Sequence, residues 1–179
     1  MATPPVFVSG AILTAAQMNA VGLWLIKTQT IGSAVSSVSI TDVFSSDYDN
    51  YLIKITGMTA SAQADTTMQL AGITTGVYTY SGTAQLLSAS AVIPYQTTNA
   101  TSMPIGTMQS SQNTQVNLEL SSPFLARTKY VIADTVSAYL TARQGTQIAS
   151  TVSATGFTIA PASGTLTSGT IKVYGYQNG

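Results

Sequence analysis

The sequence predicts an all-β protein, a sandwich or barrel of short strands preceded by an extended arm and a short helix. Three observations lead there. Apolar and polar residues alternate with period two over many short stretches, turn-forming residues separate the stretches, and the charged helix formers are nearly missing. Charged residues make up 7% of the chain, against roughly 25% in an average soluble protein. Ser and Thr supply about a quarter of it and, with Asn, Gln and Tyr, must provide the polar surface. The apolar fraction of 45% is enough to bury a core, and 179 residues suit one sandwich plus a short extra segment.

Residues 1–30 read as an N-terminal arm and helix, and residues 31–179 as the sandwich. Pro4 and Pro5 keep the first ten residues extended, with Val6, Phe7 and Val8 apolar. Thr14 and Gln17 have the spacing of a capping box. Leu13 and Met18 flank it as a hydrophobic staple, and a helix of about two turns should end near Val21, before Gly22. From Leu23 on, strands dominate. Val38 and Ile40 share one face, as do Tyr51, Ile53 and Ile55, then Val116, Leu118 and Leu120, then Ile171 and Val173. Turns are expected at Ser45-Ser46-Asp47, Gly57, Thr75-Gly76, Ser81-Gly82, Gly145 and Ser168-Gly169. About eight strands follow from this count. Residues 157–176 read as a hairpin with a loop around 161–169, and the polar stretch 88–113 reads as a long loop or irregular edge.

The residue inventory removes several kinds of chemistry. There is no Cys and no His, so disulfides, thiolate metal sites, Ser-His-Asp catalysis and His-bound zinc are out. The six Lys and Arg are scattered singly, which gives no basic stripe for nucleic acid. No phosphate-binding glycine loop occurs, and no cofactor is implied. The longest apolar run, Val21 to Ile26, is far short of the roughly 20 residues that cross a bilayer, so no membrane insertion is expected. The first charged side chain is Lys27, so a cleaved secretory leader is not expected either. Zero net charge gives little repulsion between copies and suits a chain that lives in an assembly.

The carboxylates are Asp42, Asp47, Asp49, Asp65, Glu119 and Asp134. A glycosidase needs two facing one sugar, and turn or solvated-strand positions account for each of these separately. Asp47-Tyr48-Asp49-Asn50 begins like a calcium loop, but Ile53 and Met58 stand where such a loop needs Gly and Glu. No metal site is expected, and no catalytic residue. Tyr78 and Tyr80 share a strand face, as do Tyr174 and Tyr176. Rings beside hydroxyls and amides suit sugar binding, while strand propensity alone also explains tyrosines there. The apolar side chains of the N-terminal segment, Val6, Phe7, Val8, Leu13, Met18, Val21 and Leu23, are more than one sandwich edge needs. They are candidates for an interface.

Phe7-Val8-Ser9-Gly10 followed by Leu13-Thr14-Ala15-Ala16-Gln17-Met18-Asn19 resembles an N-terminal segment of bacteriophage tail-fibre and virion structural proteins. Val43 to Tyr51, Ser122 to Ala126 and Gly169 to Tyr176 resemble stretches of the same proteins. The resemblance implies a virion-exposed jelly-roll-like sandwich, usually a homotrimer; the apolar N-terminal segment is expected to contact other virion proteins. On that basis the expected function is a fibre or adsorption-appendage subunit presenting loops to a host-surface glycan or protein. A capsid decoration or head-fibre protein is the alternative within structural roles, and a tailspike-like polysaccharide-degrading enzyme is the alternative from another class.

Overall fold

The computed structural model describes Ser9, Gly10, Ile12 and residues 22–176. The expected arm and capped helix, with Val6, Phe7, Val8, Leu13, Met18 and Val21, lie outside the described residues. Among the described residues there is no helix. The strands are β1 (Leu23–Ile31), β2 (Val38–Ile40), β3 (Asn50–Ala60), β4 (Ala64–Leu70), β5 (Tyr78–Leu86), β6 (Val92–Ala100), β7 (Met103–Met108), β8 (Thr114–Ser121), β9 (Lys129–Val136), β10 (Leu140–Ile148), β11 (Phe157–Pro161) and β12 (Leu166–Tyr176). They form two antiparallel sheets packed as a β-sandwich. The larger runs β1-β12-β3-β8-β9-β10-β5-β6, and the smaller runs β2-β11-β4-β7.

The core lies between the sheets. Ile53, Ile55, Val116, Leu118, Leu120, Ile171 and Val173 of the larger sheet are all buried, as the alternation predicts. They face Met68, Leu70, Met103, Ile105, Phe157 and Ile159 of the smaller sheet, which are buried too. Full burial of each such side chain stabilises the fold by about 1.5–3 kcal/mol. At one end an aromatic cluster closes the core. Phe44 meets Tyr51 edge-on at 4.7 Å and lies 5.8 Å from Phe157, and Tyr48 meets Tyr51 edge-on at 5.9 Å. The Tyr51 hydroxyl accepts from the Ser45 N–H at 2.9 Å and donates to the Ser45 carbonyl at 3.1 Å, which pins the loop before β3. The Tyr48 ring lies over Gly175, where a Cβ would come within 2.4 Å of it.

Five expectations change. The turns expected at Gly57, Ser81-Gly82, Gly145 and Ser168-Gly169 fall inside β3, β5, β10 and β12. There are twelve strands among the described residues, not eight. Residues 23–30, grouped by the sequence with the arm, belong to an edge strand of the larger sheet. Residues 157–176 are not a hairpin: β11 pairs with β2 and β4, whereas β12 pairs with β1 and β3 in the other sheet. Alternation reports that one face is buried, but it does not report which sheet supplies the partner. The stretch 88–113 holds β6 and β7, one edge strand of each sheet. Most of β6 is exposed, so it carries no apolar pattern to read.

Candidate binding cleft

The two sheets differ in width, and the difference makes a cleft. β7 is the last strand of the smaller sheet and packs across β8, β9, β10 and β5. Beyond it the inner face of β5, β6 and β10 overhangs. A cavity of about 300 Å³ lies between that overhang and the edge of the smaller sheet. Tyr80, Tyr95, Thr97, Ala84, Ala142 and Gln144 line the overhanging side, and Asp65, Pro104, Gly106 and Thr107 line the other.

Register explains who points in. Tyr80 of β5 sits opposite Thr97 and Thr146, and Tyr95 of β6 sits opposite Gly82. The half-buried rings of Tyr80 and Tyr95 meet edge-to-face, with centroids 6.5 Å apart. Gln144 holds the Tyr95 ring from below. It is buried, accepts from the Tyr95 hydroxyl at 3.1 Å, and donates through Nε2 to the Pro104 carbonyl at 2.7 Å and to Thr146 Oγ1 at 3.1 Å. Burial, and then the nearby Tyr80 hydroxyl, push the Tyr95 phenol above its ordinary pKa, so it stays a neutral donor. On the facing wall Thr107 Oγ1 donates to Asp65 Oδ1 at 2.7 Å. The edge of β7 is itself capped: Gln144 takes the Pro104 carbonyl, and Thr135 Oγ1 donates to the Ile105 carbonyl at 2.7 Å.

The tyrosines picked out by the sequence therefore part company. Tyr80 lines the cleft. Tyr78 is fully buried; its hydroxyl accepts from the Leu70 N–H at 2.9 Å and donates to the Ile73 carbonyl at 3.1 Å, so it cannot reach a ligand. Tyr174 and Tyr176 sit on the outer face of the larger sheet, opposite Leu25 and Leu23. Burial and Glu119 raise the Tyr176 phenol. One row of that face crosses every strand: Leu25, Tyr174, Leu52, Glu119, Ile132, Gly145, Ser81, Gln96. Leu23 is 41% exposed, Leu25 48% and Ile132 42%, so apolar side chains are open along it. A depression of about 760 Å³ over Ser81, Ile132 and Gly145 is larger than the cleft but lacks a second wall.

The sequence reading missed Tyr95, Asp65, Thr107 and Gln144 as one set. The signal was confined to residue type, since they come from four strands and both sheets. Elsewhere, Ser45 Oγ donates to Asp47 at 3.1 Å, and Arg143 lies 3.6 Å from Asp134 on the outer face. No group of three or more metal-ligating side chains forms among the described residues. The chain matches no protein-family model, and no curated protein matches it either.

Proposed function

We propose that this chain is a structural subunit of a bacteriophage particle, exposed on its exterior in a fibre or adsorption appendage, and that it acts by binding rather than by catalysis. The resemblance of its motifs suggests this role, and the strand order is the observation that carries the reading furthest. With β5, β6, β9 and β10 set aside, the remaining eight strands renumber as 1-8-3-6 in one sheet and 2-7-4-5 in the other. That order supports a jelly-roll reading, the two-Greek-key architecture found in viral capsid, lectin and cupin domains. The four extra strands then widen one sheet and create the cleft. Self-association as a homotrimer is part of the proposal; the open apolar residues of the outer face and the zero net charge favour an assembled state.

The same outer face favours a second reading, a capsid decoration protein that cements its neighbours. Imaging of labelled particles separates the two. Label at the appendage supports the first, label over the capsid supports the second, and particles without label overturn both. Mass in solution checks the trimer. Deletion of residues 1–22 should block incorporation if that segment, with its apolar Val6, Phe7, Val8, Leu13, Met18 and Val21, is the anchor.

A further inference from the structure

We infer that the cleft between β7 and the overhang of β5, β6 and β10 binds one pyranose ring of an uncharged or amino sugar and turns away acidic sugars. This deepens the proposed function, because it names the ligand chemistry of a subunit that presents a binding surface. Four observations on the page converge. The cleft has opposing walls from two sheets, and its 300 Å³ is at the lower limit of ligand pockets, the size for a single small ring rather than a peptide. Its overhanging wall carries Tyr80 and Tyr95, whose rings offer the apolar C–H surface of a sugar a place to stack. The Tyr95 ring is set in advance, because buried Gln144 ties its hydroxyl to β10 and to β7, and Tyr80 meets it edge-to-face. Little ordering cost is left for binding.

The polar groups decide which sugar. Asp65 uses Oδ1 to accept from Thr107, which leaves Oδ2 to accept from ligand hydroxyls or an ammonium group. The hydroxyls of Thr97 and Thr107 can donate or accept. No Lys or Arg is among the residues that line the cleft, so a carboxylate or sulfate on the ligand would meet Asp65 without a compensating cation. Neutral hexoses and amino sugars fit this environment, while uronic acids, sialic acids and sulfated sugars do not.

The test is saturation-transfer NMR and calorimetry on the full-length protein, with a panel of neutral, amino, N-acetylated and acidic monosaccharides. Purified host polysaccharides of each type form a second arm, which separates recognition of a free sugar from recognition of a ring within a chain. Binding of a neutral or amino sugar in either arm is expected, with contact protons on one face of the ring. Asp65→Ala and Tyr95→Ala should each weaken it about tenfold or more. Asp65→Asn, which keeps an acceptor for Thr107, guards against misfolding and should weaken binding less than Asp65→Ala. A panel with no binder, tightest binding to an acidic sugar, or affinity unchanged in folded Asp65→Ala and Tyr95→Ala would each overturn the inference. None of these outcomes bears on where the chain sits in a particle, so the structural role stands or falls separately.

Discussion

Tyr95 lies across Gly82, its cross-strand neighbour, with its hydroxyl 2.8 Å from where a Cβ on that glycine would stand. The same Cβ would meet the Arg143 carbonyl at 2.5 Å and Gln144 Cβ at 2.8 Å. Gly82 is thus the gap that lets an aromatic ring from an edge strand reach the middle of the overhang. Gly82→Ala should displace Tyr95, push β10 outward and lower stability by about 1–3 kcal/mol. A thermal midpoint equal to that of the parent protein would show that the strands absorb the methyl group without cost. Gly145→Ala on the neighbouring strand is the control, since nothing lies within 4 Å of its Cβ position.

Tyr78 should make the protein sensitive to alkali. Burial pushes its phenol up to about 12, against the lowering effect of the Leu70 N–H that it accepts. The neutral form is favoured in the folded state. Its contribution is fully present below the ordinary value of 10.0 and is lost as pH rises from there to about 12. Burial of Tyr48, Tyr51 and Tyr95 acts in the same sense. Tyr78→Phe should cost about 2 kcal/mol at neutral pH, by leaving the Leu70 N–H and Ile73 carbonyl unpaired. It should also flatten the fall in stability above pH 10. Denaturant titrations of both proteins across that range check the sign, and parallel curves would contradict it.

Lys129 is a buried cation that works as a staple. Its Nζ donates to the carbonyls of Leu125, Arg127 and Ser150 at 3.0, 2.7 and 2.8 Å. These bonds tie the loop after β8 to the segment after β10, and Arg127 adds a bond to Ser122 Oγ at 2.7 Å. Lys129→Met keeps an apolar stem but removes every donor, at about 2 kcal/mol or more. The loss should be local first, with faster hydrogen exchange at Ala154, whose N–H donates to the Pro123 carbonyl. Burial lowers the pKa of this ammonium. Stability from this group therefore rises with pH between the lowered value and the ordinary 10.5, opposite to the tyrosines. Comparing the parent protein with Tyr78→Phe removes that background.

Catalysis on polysaccharide is not expected. Hydrolysis of a glycosidic bond needs two carboxyl groups on either side of it, and Asp65 is the one carboxylate among the residues that line the cleft. Incubation of the purified chain with host polysaccharide should release no reducing ends. Release that disappears in Asp65→Asn would mean that a second carboxylate reaches the site from another copy of the chain.

The strands at the centre of the larger sheet could be read from the sequence because their signal is local. Over residues 51–55 of β3, 114–120 of β8 and 171–175 of β12 every second residue faces the core, so Ile53, Leu118 and Val173 mark their strands without knowledge of any neighbour. β6 could not be read in this way, since an edge strand that buries little has no reason to alternate. Tyr78 and Tyr80 show the limit most sharply. They are two residues apart on one strand face, as predicted, yet one is sealed under the smaller sheet and the other lines a cleft. Only the width of the covering sheet separates them, and that width is set where β7 ends the pairing, a long-range property. The bonds from Thr107 to Asp65 and from Tyr95 to Gln144 join residues 42 and 49 positions apart. The sequence by itself determined the class of the fold and the faces of its central strands, because strand periodicity is written residue by residue. Tertiary structure alone decided the partner sheets of β11 and β12 and the four side chains that meet in the cleft, because pairing across a sandwich depends on shape and burial that no short stretch of chain contains.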